Sequence, residues 1–300
     1  MNTVAIVGVG NMGGAMAARL LEQGWAVRVC DLDAAKARAL EAQGAVACPS
    51  PAEAVAQCSA LIVCVVDAPQ VEEVLFGPNG AAAAMGPPQA VLLCPTVAPA
   101  DTMNFARRLT ERGLDALDAP MSGGPARARD GTMSLMLACA DAVFERQRGL
   151  LETLSGKIFR ISERPGDGAA TKLVNNLLAG INLVGAAEAM VLAERLGLGL
   201  AATLEVIEQS SGQSWIGSDR MRRAIEGDYE PRAHVTLLQK DTRLAVQAAG
   251  AAGFEGPLGA AAHAVFAQAA AAGFGQWDDA VVFKLLSSSS QAARGPKMSR

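Results

Sequence analysis

The chain has 300 residues, 51% of them hydrophobic, and carries 30 acidic against 26 basic side chains for a net charge of −4. That is enough apolar material for one or two cored domains of a soluble protein. The mild acidity, the scattered Lys and Arg and the two histidines argue against nucleic acid, which needs a basic stripe.

From the N-terminus, the first half alternates strand signals with alanine-rich helical runs. Strands are expected at 3–7, 25–30, 60–66, 90–94, 114–118 and 133–138, and AVAC at 45–48 gives a weaker signal. Short and almost wholly apolar, they have the composition of parallel strands covered by helices on both faces. After about Pro165 the strand signal gives way to helices at 166–196, 200–210, 215–226, 234–250, 257–271 and 278–286. Gly227-Asp228, Gly253, Gly256-Pro257 and Gly273–Gly275 separate most of them. The expected fold is therefore α/β, a Rossmann-type doubly wound parallel sheet domain over 1–163 followed by an all-α domain over 164–290 and a flexible tail at 291–300.

The segment 166–196 reads as one long, mostly buried helix, with Leu173, Leu177, Leu178, Ile181, Val184, Met190 and Leu192 apolar. Together with the alanine-rich 257–272 it offers more apolar face than one small domain covers, which predicts a homodimer or homotetramer. No run reads as apolar for long enough to span a membrane, and no signal peptide is expected before the strand at Thr3. Cys30, Cys48, Cys58, Cys64, Cys94 and Cys139 form no CxxC pair, and His234 and His263 stand far apart. A reduced, cytoplasmic protein without a metal site is expected.

VAIVGVGNMGG sets Gly8, Gly10 and Gly13, with Asn11 and Met12 between the last two, after a strand and before a helix. In such a loop the first glycine permits the tight turn, the second lets a pyrophosphate approach the backbone, and the third lets helix pack on strand. Asp31 ends the next strand at the spacing where an acid meets a ribose 2′-hydroxyl and repels a 2′-phosphate, so NAD is expected rather than NADP. Val66-Asp67 and Cys94-Pro95-Thr96 end two further strands at the edge where α/β sheets bind ligands. The Thr96 hydroxyl would emerge near a nicotinamide carboxamide, and Asp67 serves either the cofactor or a plain strand exit. Ser122-Gly123-Gly124 offers a hydroxyl and unobstructed N–H groups to a small anion. In the long helix, Lys172, Asn175 and Asn176 share a face at spacings of three and four.

GVGNMG, the strand-end threonine, DAPMSGG with Gly131, GDGAATKLVNN and LLQKDTRLA, in that order over residues 3–286, resemble the β-hydroxyacid dehydrogenase family. The resemblance implies that Lys172 is the acid/base, that Asn175 and Asn176 orient the substrate, and that Ser122, Gly123 and Gly124 hold its carboxylate. It also implies that Lys240 reaches the active site, in a cleft between the domains, from the helical one. SGQSWIGSDRM and GDYEPR look like L-threonate dehydrogenases, whereas VDAPQVEEVLFG looks like tartronate semialdehyde reductases. Oxidising a secondary alcohol needs a base for the hydroxyl proton, and a lysine near its ordinary pKa of about 10.4 would serve only if its site lowered that value. Imine reductases share the architecture but typically lack the lysine, so its presence favours alcohol chemistry. The expected activity is NAD-dependent oxidation of a small hydroxy acid of the L-threonate or 3-hydroxyisobutyrate type. The alternatives are a tartronate semialdehyde-type reductase and a catalytically silent NAD-binding sensor. Arg127 and Trp215, each near a motif, are candidates for substrate choice or plain surface and packing residues.

Overall fold

The computed structural model describes residues 3–292, and the chain divides between Lys172 and Leu173 into two compact units. The first unit begins with β1 (Thr3–Val7), α1 (Asn11–Glu22), β2 (Ala26–Cys30), α2 (Ala34–Glu41), β3 (Val46–Ala47), α3 (Pro51–Ala54), β4 (Ala60–Val63) and α4 (Ala68–Phe76). It continues with β5 (Ala90–Leu93), α5 (Pro99–Thr110), β6 (Asp115–Asp118), β7 (Met121–Ser122), α6 (Gly124–Asp130), β8 (Met133–Ala138), α7 (Asp141–Leu154) and β9 (Ser155–Ser162). All the strands join one sheet in the order β3-β2-β1-β4-β5-β6-β8-β7, with β9 paired to β8. β1 to β6 pair in parallel, while β8 runs antiparallel to β6 and β7 and parallel to β9. The strand order reverses beside β1, the doubly wound arrangement in which ligands bind outside the carboxyl ends of the strands.

Both faces of this sheet are apolar because successive side chains of a strand point to opposite sides. Val4 and Ile6 join a layer with Met16 and Leu20 of α1 and Leu151 of α7, whereas Ala5 and Val7 join Leu75, Phe105 and Leu109 on the other side. Two strands escape the sequence pattern. β7 is two residues between Pro120 and a glycine pair, and β9 is an edge strand, SGKIFRIS, whose Phe159 and Ile161 stay 42% and 36% exposed. Neither presents the continuous apolar run of a strand buried on both faces.

Helix α8 (Asp167–Arg195) is followed by α9 (Leu200–Glu208), α10 (Trp215–Glu226), α11 (Val235–Ala251), α12 (Pro257–Ala269) and α13 (Val282–Ala292). Within the second unit, Leu183, Val184, Ala187 and Met190 of α8 pack with Met221, Val235, Leu238, Phe266 and Phe283. The expectation of a mostly buried α8 is corrected: Val174, Leu178 and Leu192 are 70%, 58% and 59% exposed. The expectation about membrane-length runs is corrected too, since α8, with its 29 residues, is long and apolar enough to cross one by length and composition. Alanine and glycine contribute much of that length, and one face of the helix is a packed core wall. Of the expected tail, Gln291 and Ala292 continue α13, and 293–300 lie outside the described residues.

Candidate active site

The three loop glycines are glycine for different reasons. Gly8 has φ +90°, and a Cβ there would meet the Cys64 carbonyl oxygen at 2.5 Å; at Gly13 it would lie 1.9 Å from the Gly8 oxygen. Those two positions are fixed by backbone meeting backbone. Around Gly10, by contrast, nothing lies within 4 Å of a Cβ, so its face is open to an approaching group. Gly10 also precedes α1 without any side-chain cap, and the first N–H groups of a helix lack intrahelical acceptors. Asp31 closes onto this loop: its Oδ2 accepts the Val9 N–H at 2.7 Å and its Oδ1 the Asp33 N–H at 2.9 Å.

Along the same sheet edge, Val66 is half exposed and its N–H donates to Gln70 Oε1 at 2.9 Å. Asp67 caps α4, its Oδ1 accepting the Gln70 N–H at 3.0 Å. Thr96 follows β5 and is half-buried. Past β6, Ser122 pairs with Ser134 across the β7–β8 ladder. Gly123 has φ +132° and Gly124 φ +72°, which L side chains rarely adopt. A Cβ on Gly123 would press on the Arg127 stem at 2.9 Å, while Gly124 has open space in front of it. Burial pushes the Cys64 thiol, beside the glycine loop, up to about 12, so it stays a neutral packing group.

Lys172 lies in the first turns of α8 and is 8% exposed. Asn175 and Asn176 follow on that helix, one turn later. In the second unit, Asn175 Nδ2 donates to Asn176 Oδ1 at 3.0 Å, and Asn176 Nδ2 donates to Asp241 Oδ2 at 2.6 Å. Lys240 Nζ stands 2.9 Å from Asp241 Oδ1. The amide pair and the lysine are thus joined through Asp241, which the sequence placed beside Lys240 without giving it a task. Asp118, inside the DAPMSGG motif, was likewise unassigned, yet it is 1% exposed and accepts two backbone N–H groups. An acid between Leu117 and Ala119 at the end of a strand is the signal that could have singled it out. Trp215 begins α10 and is 56% exposed, and Arg127 lies exposed on α6.

Two family models cover nearly the whole chain: the NAD binding domain of 6-phosphogluconate dehydrogenase over residues 3–162, and the NAD-binding domain of NADP-dependent 3-hydroxyisobutyrate dehydrogenase over 166–286. An L-threonate dehydrogenase of Cupriavidus necator is 40% identical over 282 residues, 94% of this chain and 95% of its own. A 3-hydroxyisobutyrate dehydrogenase of Pseudomonas aeruginosa is 35% identical over 89% of this chain and 91% of its own. The chain belongs to the β-hydroxyacid dehydrogenase family. The crystal structure of a 3-hydroxyisobutyrate dehydrogenase from Salmonella typhimurium superposes with a TM-score of 0.89 at 38% identity, covering 95% of this chain and 100% of that one.

As a member of this family the chain is a nicotinamide-dependent oxidoreductase acting on a hydroxy acid. Its residues fit that cofactor. The open face of Gly10 and the uncapped start of α1 suit a pyrophosphate, and Asp31 at the end of β2 suits a ribose hydroxyl.

Proposed function

We propose that the enzyme oxidises a short polyhydroxy acid of the L-threonate type, using NAD in preference to NADP, with Lys172 as the acid/base. The observation that carries this is the buried Lys172 with two amides one turn further along α8. Lysine is seldom buried to this extent. Its amine takes the proton of the substrate hydroxyl as the carbonyl forms, and in the reverse direction the ammonium returns it. The nicotinamide, when bound, supplies the hydride acceptor. Asn175 and Asn176 orient the hydroxyl-bearing carbons, their geometry set by Asp241, while Lys240 keeps that carboxylate charge-paired. Ser122, Gly123 and Gly124 hold the substrate carboxylate. Gly8, Gly10, Asn11, Met12, Gly13, Asp31, Val66 and Thr96 contact the cofactor, and Lys240 is assigned to it as well. Asp67 contributes by capping α4 beside that site.

In this assignment residues 1–163 form the NAD-binding domain and 164–290 the substrate and oligomerisation domain. The exposed Val174, Leu178 and Leu192 support a homodimer or homotetramer, and six unpaired cysteines support a cytoplasmic enzyme. Threonate is favoured because five L-threonate dehydrogenases match at 35–40% identity, against 32% for a 2-hydroxy-3-oxopropionate reductase of Escherichia coli. A panel of C3 and C4 hydroxy acids with NAD, followed by nicotinamide fluorescence, tests the assignment. Highest kcat/KM on a C4 polyhydroxy acid supports it. Preference for reducing a semialdehyde, or cofactor binding without turnover of any acid, contradicts it.

A further inference from the structure

Asp118 ends β6 and takes no part in the binding or proton transfer described above. Its buried Oδ2 accepts the N–H of Gly166 at 2.8 Å and of Ala169 at 3.0 Å. These amides belong to the turn that opens α8, where helical N–H groups have no intrahelical acceptor. Gly168, between them, is packed just as closely: a Cβ there would lie 2.9 Å from Asp118 Cγ and 2.6 Å from the Met136 carbonyl oxygen. Lys172 follows Ala169 by one helical turn, and on the strand side Ser122 follows Asp118 after four residues. One carboxylate therefore ties the stem of the Ser122–Gly124 loop to the turn that carries the lysine.

We propose that Asp118 is a positioning residue, which by accepting the Gly166 and Ala169 N–H groups fixes the first turn of α8 at the end of β6 and so sets where the Lys172 amine stands. The proposal rests on Lys172 being the acid/base. A helix start is ordinarily capped by a Ser, Thr or Asn just before it; here the acceptor comes from a strand 48 residues earlier, which fixes one element against another as well as capping. Burial raises the carboxyl to about 6, against the pull of the backbone N–H groups, and Asp167 adds to the rise. Cys94 faces it from the end of β5, a thiol held neutral by burial. An ionised group kept there at neutral pH costs stability, as residues kept for function often do.

The test is a kinetic cycle with NAD and the best acid of the panel, on Asp118→Ala, Asp118→Asn, Lys172→Ala and the Asp118→Ala/Lys172→Ala double variant. Asp118→Ala should lower kcat on the order of 10- to 100-fold through misplacement alone, leaving KM for NAD within about twofold. Asp118→Asn, whose amide oxygen can accept the same two N–H groups, should recover kcat to within about threefold of the parent. On the Lys172→Ala background, Asp118→Ala should remove less than about twofold more, because a residue acting through the lysine has nothing left to act on. Parental kcat in Asp118→Ala, an Asn variant as slow as Ala, or fully multiplicative losses would overturn the proposal while leaving Lys172 in place. Parental turnover in Lys172→Ala would instead overturn the acid/base assignment and the proposal with it. If Asp118→Ala does not fold, Gly168→Ala, which pushes the same turn off the carboxylate from the helix side, replaces it in the cycle with the same deciding outcomes.

Discussion

At the scale of single residues, what a motif implies and what a side chain does separate most clearly at Asp31 and Asp67. Both are acids at the carboxyl ends of parallel strands; the sequence assigns Asp31 to the cofactor and leaves Asp67 between the cofactor and a plain strand exit. Asp31 clamps the glycine loop through Val9, where it can also meet a ribose, but Asp67 spends an oxygen on the first turn of its own helix. Local side-chain-to-backbone capping is open to any such Asp, and only coordinates show where it is in place. The enzyme should prefer NAD over NADP by about 100-fold or more in kcat/KM, since a carboxylate facing a phosphate costs several kcal/mol. Asp31→Ala should narrow that ratio at least tenfold, by roughly 1.4 kcal/mol or more; equal use of both cofactors by the parent contradicts the assignment. Gly123 contrasts with Gly10, since its φ of +132° is one that L side chains rarely adopt. Gly123→Val should raise KM for the acid by roughly tenfold or more with KM for NAD little changed, and steady-state kinetics with each substrate varied in turn measures both.

At the scale of elements, the long helix was legible almost to the residue, expected at 166–196 and found at Asp167–Arg195, because an uninterrupted run without proline has few other options. Its burial was not legible. Leucines read as core in sequence, yet Leu178 and Leu192 stay exposed while Gly180 meets the helical core, where an added Cβ would lie 2.8 Å from Thr242 Cγ2 and 3.3 Å from Phe266 Cε2. Gly180→Ala should therefore destabilise the protein by about 1–3 kcal/mol through overpacking, despite alanine's better helix propensity; an unchanged or higher Tm contradicts this packing. The strap between β6 and α8 adds a pH signature. Asp118 is raised in the folded state to about 6, so between its unfolded value near 4 and that point the folded protein binds the extra proton. Its contribution to stability is therefore greatest at low pH and is lost as pH rises through about 6. Relative to Asp118→Asn, the parent should lose stability between pH 5 and pH 8, readable from denaturant midpoints at the two pH values. A constant difference contradicts an ionising carboxyl at this point.

At the scale of the whole molecule, the class and the order of its motifs were legible because a parallel sheet buried on both faces and a glycine loop leave plain compositional marks. β7 and β9 were not, since a two-residue strand and a half-exposed edge strand leave none. Nor were the carboxylates Asp118 and Asp241, whose hydrogen-bond donors Gly166, Ala169 and Asn176 are distant in sequence and which become informative only once β6 meets α8 and Asn176 meets α11. What unites these parts is the claim that this dehydrogenase moves a proton through Lys172. The most direct measurement is the rate of acid oxidation as a function of pH for the parent and for Lys172→Arg, which keeps the positive charge but cannot release its proton. The parent should show a rate that rises along a basic limb, and Lys172→Arg should lose at least about 100-fold in kcat and that limb with it, while NAD affinity holds. Near-parental turnover in Lys172→Arg with an unchanged pH profile would show that the lysine only positions substrate and that another group carries the proton.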